Sequence, residues 1–166
     1  MGDDFSPDAI KKMLRYACSY QGACKKHPIS AVIENTGKSY IVGWNGAPTG
    51  IRHDECTRAG CASGEGMNLC PTVHAERRAI SHAAKSGVAT EGARIYLSEW
   101  FPCADCAKSI IEAGIIQLIT PDEFYSDNVN HLLVPKLRNQ PYNFEMAERL
   151  MREAGLALVV DSRIRL

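Results

Sequence analysis

Apolar residues recur at two periods along this chain, and the switches between them outline its elements. Ile10, Met13, Leu14, Ala17 and Cys18 follow helical spacing. Ser6-Pro7 supplies an N-cap followed by proline at the first helical position, and the helix is expected to stop near Gly22. Residues 31–34 and 39–43 read as strands, and Asn35-Thr36-Gly37-Lys38 between them has hairpin turn chemistry. After Pro71-Thr72 an apolar stripe of Ala75, Ala79, Ile80, Ala83 and Ala84 predicts a second helix. A strand over 94–98 leads to a helix over 104–113, which Gly114 ends. Residues 115–119 are largely apolar, as expected of a parallel strand covered on both faces. Phe144, Ala147, Leu150, Met151 and Ala154 line one side of a helix over 144–154 closed by Gly155, and residues 156–160 form a last strand. A hairpin followed by helix–strand repeats predicts one α/β domain over residues 1–166. Its layers are α/β/α around a mixed five-stranded sheet, with the hairpin at an edge and the later strands parallel.

Composition narrows the function classes. Nineteen Lys and Arg balance nineteen Asp and Glu, so no overall basic field points to a nucleic-acid partner. No apolar run approaches the length of a membrane span, and the acidic start MGDDFSPDAI lacks a secretion-signal core. Seven cysteines, an odd number, suit metal ligands or free thiols in a reducing, cytoplasmic setting better than a disulfide framework.

Two short stretches carry chemistry. Val73-His74-Ala75-Glu76 offers an imidazole with a carboxylate two residues on, and Pro102-Cys103-Ala104-Asp105-Cys106 offers two thiols on one helical face. His74, Cys103 and Cys106 make three ligands for a tetrahedral zinc, leaving the fourth position for water. A metal so placed makes water a nucleophile near neutral pH. Glu76 is close enough to move its proton without ligating the ion. Each ligand pair starts a helix, whose N-terminus favours developing negative charge.

Other residues leave alternatives open. Residues 51–70 form a long irregular segment of the kind that is usually functional or disordered. Its His53, Cys56, Cys61 and Cys70, with Cys24, offer donors for a second, structural zinc, or are small buried thiols. Cys70 is also a candidate to close the fourth position of the first ion, which would make the site structural. Lys25-Lys26 is either a solvated turn or a phosphate contact. Trp100 and Phe101 either stack on a ligand or belong to the core.

His-x-Glu followed by Pro-Cys-x-x-Cys is the arrangement of the zinc nucleobase deaminases. Gly43-Trp44-Asn45-Gly46-Ala47-Pro48-Thr49-Gly50, His53-Asp54-Glu55, Gly60-Cys61, Cys70 and Ala113-Gly114-Ile115 extend the match. Over roughly residues 10 to 160 the chain resembles the deoxycytidylate deaminases. The resemblance implies a cytidine deaminase-like fold and zinc-dependent hydrolysis of dCMP to dUMP and ammonia. The alternatives are another cytosine or adenine substrate, or a zinc-stabilised nucleotide-binding protein without activity. It implies that His74, Cys103 and Cys106 hold zinc and that Glu76 is the proton shuttle. It further implies that Asn45 binds the sugar, the Ala75 N–H binds the base carbonyl, and Tyr125 lies near the nucleotide. Some members carry an allosteric site, so dCTP or dTTP is an implied effector, and a homo-oligomer, often a hexamer, an implied assembly. The chain departs from the family at Ser30, Arg78, the 99–101 stretch and an apparent insert over 129–139.

Overall fold

The computed structural model describes residues 6–62, 65–121 and 142–166. Helix α1 (Pro7–Cys18) opens at Ser6, whose hydroxyl accepts from the Asp8 N–H. Strands β1 (Ser30–Glu34) and β2 (Tyr40–Trp44) form the expected hairpin, with the Asn35 side chain accepting from the Ser39 N–H across the turn. Then come α2 (Ala75–Lys85), β3 (Arg94–Leu97), α3 (Ala104–Glu112), β4 (Gln117–Thr120), α4 (Phe144–Glu153) and β5 (Ala157–Val160). Strand order is β2-β1-β3-β4-β5. β1 is antiparallel to both neighbours, and β3, β4 and β5 run parallel. This is the mixed five-stranded sheet expected from the sequence.

Alternation along the strands divides the core in two. Ala31, Ile33, Ile95, Leu97 and Leu118 face α2, α3 and α4, which contribute Ala79, Ala83, Ala107, Ile110, Ala147 and Met151. Val32 and Ile119 face the other way, against Ile10 and Leu14 of α1 and Ile164 of the C-terminal turn. Two neighbouring residues of β4, Leu118 and Ile119, are therefore buried on opposite faces, which is why that strand reads as continuously apolar.

Several boundaries move inward. α1 ends at Cys18, short of Gly22, because residues 20–23 form a separate turn closed by Ala23 N–H to the Tyr20 carbonyl. β4 and β5 each start late. Ile115 and Leu156 still donate to Ile110 and Met151, closing the helices before them, after glycines at φ +69° and +75°. Ala84 and Ala154, placed on buried stripes by spacing, are exposed. The polar Arg78 and Glu148 are buried instead.

One contact in this frame positions the site. A Cβ on Gly43 would lie 2.3 Å from the Ala75 carbonyl and 2.5 Å from the Ala79 nitrogen, both rigid backbone of α2. β2 and α2 approach this closely only because residue 43 has no side chain. Gly43→Ala must push them apart. We expect a stability loss of about 1–3 kcal/mol, the range for overpacked cores, read as a lower denaturant midpoint at constant m-value.

Candidate functional site

α2 and α3 begin side by side against the sheet, and each begins at a candidate ligand. His74 and Cys103 occupy the N-cap positions, both in extended conformation and neither capping with its side chain, so both are free to turn outward from the helix start. Cys106 lies in the first turn of α3 and is fully buried. The Nδ1 of His74 is 3.4 Å from Cys103 Sγ and 3.3 Å from Cys106 Sγ. The three donor atoms lie within 4.8 Å of one another, and among the described residues no other such group of three occurs. Ligands on a tetrahedral zinc, with Zn–N near 2.0–2.1 Å and Zn–S near 2.3 Å, stand about 3.6 Å apart. One borderline nitrogen and two soft sulfurs at this spacing fit zinc in kind and in distance.

The electrostatics agree. A hydrogen bond from Cys106, aided by His74, brings the Cys103 thiol down to about 4 and pushes the Cys106 thiol up. Of the two thiols Cys103 is the more readily ionised, and a cation binding here would have to displace the protons that remain. The bond to Cys103 pushes the His74 imidazole up. Glu76, 6% exposed in the first turn of α2, interacts with both His74 and Cys106, and burial pushes its carboxyl up. A carboxylate with raised proton affinity beside a metal trio is suited to taking a proton from water and passing it on.

His74, Glu76 and Cys103 line a cavity of about 340 Å³, within the ~300–1,000 Å³ typical of small-molecule sites. One wall is aromatic: Trp100, Phe101, Tyr142 and Phe144 contact one another with centroids 5.5–6.5 Å apart. Phe101 is 3% exposed and belongs to the core, whereas Trp100 is only partly buried. Trp100 sits at φ +64°, a conformation that costs a bulky residue about 1–3 kcal/mol and marks the stretch before Pro102 as constrained. At the rim His27 pairs with Glu99 at 2.8 Å, and the His27 ring meets the Trp100 ring edge-on at 5.2 Å.

Asn45 also lines the cavity. Its side-chain oxygen accepts from the Ile29 N–H at 2.8 Å and its amide donates to the His27 carbonyl at 2.7 Å. An amide has two N–H groups, so one remains for a ligand. Ala75 is the first residue of α2, where the backbone N–H has no intrahelical acceptor. Tyr125 and the 129–139 stretch lie outside the described residues.

Both lysines of the 24–28 loop serve backbone. Lys25 donates to the Gln21 carbonyl, and Lys26 donates to the carbonyls of Arg58 and Cys61, fastening the 56–62 segment. Cys24, His53, Cys56 and Cys70 line the cavity without joining the trio. Cys70 Sγ is instead 3.0 Å from the Thr72 hydroxyl. All seven cysteines are free. Tyr142 was missed from the sequence, and Arg78 shows there only as a departure from the family. Tyr142, whose ring is 6.5 Å from that of His74, carried only the weak signal of standing two before a helical phenylalanine. Arg78 follows Glu76 by two, a spacing that could have placed it at the same helix start.

The family model for the cytidine and deoxycytidylate deaminase zinc-binding region matches residues 6–120. ComE operon protein 2 of Bacillus subtilis is 30% identical over 138 residues, 83% of this chain and 62% of that protein. The deoxycytidylate deaminase of Enterobacteria phage T4 is 28% identical over 141 residues, covering 64% of this chain and 72% of the phage protein. The human deoxycytidylate deaminase is 32% identical over 111 residues, 66% of this chain and 57% of the human one. Thus the chain spans less than two thirds of the Bacillus and human relatives. Among solved structures, the dCMP deaminase of cyanophage S-TIM5 in complex with dCMP and dUMP superposes with a TM-score of 0.63 at 22% identity, over 93% of this chain and 98% of that one. At that identity the likeness speaks for the fold.

Proposed function

Because the chain belongs to the cytidine and deoxycytidylate deaminase family, we propose that it hydrolyses dCMP to dUMP and ammonia with one catalytic zinc held by His74, Cys103 and Cys106. The observation that carries the reading is the buried Glu76 carboxyl beside a three-donor metal site at a nucleotide-sized cavity. A site made only to stabilise the fold would have a fourth protein ligand and no use for a buried acid.

When bound, zinc supplies Lewis acidity that activates a water molecule. The chain's own residues do the rest. Glu76 would take one proton from the attacking water and deliver it to the ring nitrogen as the oxygen bonds to the amino-bearing carbon. It would then take the remaining proton of that oxygen and deliver it to the amine as the carbon–nitrogen bond breaks, leaving the carbonyl of dUMP and free ammonia. The Ala75 N–H, at the positive end of α2, holds the base carbonyl. The remaining N–H of Asn45 binds the sugar. Trp100 and Tyr142 give the base a flat apolar wall and keep bulk water from it. Tyr125 is proposed to complete the nucleotide site. The reading extends to a cytoplasmic homo-oligomer that responds to dCTP or dTTP. No helix among the described residues is long and apolar enough to cross a membrane.

Ammonia release from a panel of cytosine and adenine nucleosides, mono- and triphosphates, and an RNA hairpin tests the substrate. We expect dCMP to give the highest kcat/KM. Turnover of cytidine, of adenosine in RNA, or of a modified dCMP with none of dCMP would replace the substrate while keeping the chemistry. No turnover by the zinc-loaded chain would leave a nucleotide-binding protein.

A further inference from the structure

Arg78 is a buried cation that the chemistry above does not use. It is 6% exposed, and among the described residues no carboxylate pairs with it. Its guanidinium is satisfied otherwise. Nε donates to the Trp44 carbonyl at 2.8 Å, and Nη2 donates to the carbonyls of Gly46 and Ala47 at 2.6 Å each. The charged carbon stands 5.1 Å from the centre of the Trp44 ring, in cation–π range. Burying an unpaired charge is costly even when its N–H groups are bonded. A neutral side chain would pack α2 against β2 more cheaply.

What the guanidinium grips is a short stretch with Asn45 at its centre. The carbonyls on either side of Asn45, those of Trp44 and Gly46, both end on Arg78, which stands on the same helix as Glu76 and two residues beyond it. Gly46 is also tied by two backbone hydrogen bonds to Val73, the residue before His74. We infer that Arg78 is a positioning residue that sets Asn45 at a defined distance from the Glu76 end of the site, keeping nucleotide recognition in register with proton transfer. The planar fork matters here, because three carbonyls on one bend need donors in fixed directions. This inference rests on the proposed nucleotide deamination for its kinetic consequence; the grip on the 44–47 bend stands apart from it.

The experiment is a double-mutant cycle on the zinc-loaded chain, with dCMP as substrate. Arg78→Met and Arg78→Lys are each expected to raise KM about 10-fold while kcat stays within about 3-fold, since misplacing a substrate contact by an ångström costs up to ~100-fold. Zinc content should stay at the wild-type level. Asn45→Ala should also raise KM, and Arg78→Met should add little on top of it, because both changes remove one function. Multiplicative KM effects in the double variant would overturn the inference. So would a fall in kcat at unchanged KM. Should Arg78→Met lose zinc or fold poorly, Arg78→Lys, which keeps the charge but not the fork, decides. Amide hydrogen exchange gives a reading independent of turnover. Faster exchange at Gly46 in the Arg78 variants, with α3 unchanged, supports the grip, and unchanged exchange overturns it. A wild-type chain inactive on every cytosine nucleotide would defeat the functional reading, and the exchange result would still decide the role of Arg78.

Discussion

Glu76→Gln is expected to lower kcat by about 10²–10⁴, the usual contribution of a positioned acid–base group, which is roughly 3–5 kcal/mol of barrier. Gln fills the same space and can still hydrogen-bond, but cannot carry the proton. Zinc content should not change, because Glu76 is not among the three donors. Thermal stability should hold or rise, since a neutral amide replaces a carboxyl that burial already disfavours in its charged form. The checks are steady-state ammonia release, metal analysis and a melting curve on one preparation. Near-normal turnover would remove Glu76 from the reaction.

Cys106→Ser should act in the opposite order, through the metal first. Serine is nearly the same size, so the buried first turn of α3 stays filled, but the hydroxyl is a poor zinc ligand at neutral pH. Loss of an outer-shell partner typically costs 10–100-fold in zinc affinity, so loss of a direct ligand should cost more than about 100-fold. Zinc stoichiometry should fall towards zero on dialysis, and turnover with it. Circular dichroism should still show the fold, because α3 is also anchored in the core by Ala107 and Ile110, whose packing does not depend on sulfur. Full zinc retention in this variant would mean that the ion is held elsewhere.

Much of this arrangement was legible in the chain because its determinants are local. His74 and Glu76 are two residues apart, Cys103 and Cys106 three, and each pair sits where a helix starts, so spacing alone could nominate them. The sheet followed for a similar reason, since strand periodicity, turn residues and closing glycines lie next to one another. What could not be read depends on partners far along the chain. Arg78 shows in the sequence only as a departure from the family; it takes the fold to bring the carbonyls of Trp44, Gly46 and Ala47 to it and to leave Arg77 exposed. Trp100 and Phe101 are adjacent aromatics of equal apparent standing; both line the cavity, but Phe101 is buried in the core while Trp100 is only partly buried. Ala84 and Ala154 fitted apolar stripes and proved exposed, because alanine gains too little from burial to reveal its face. By sequence Lys26 stands between a solvated turn and a phosphate contact, and its carbonyl partners lie 32 and 35 residues away.

The proposed metal ligands stand at the roots of two helices packed on the sheet, whereas most of the rest of the cavity is contributed by connecting segments at 24–29, 45–72 and 99–101, with Tyr142 and Phe144 at the start of α4. Reactivity and selectivity are thus carried by separable parts of one chain. An engineer wishing to redirect the scaffold to a bulkier pyrimidine could graft or shorten those segments and leave the ion undisturbed. Gradual drift in nature has the same freedom, so kindred chains can diverge in what they accept long before they lose the means to react with it.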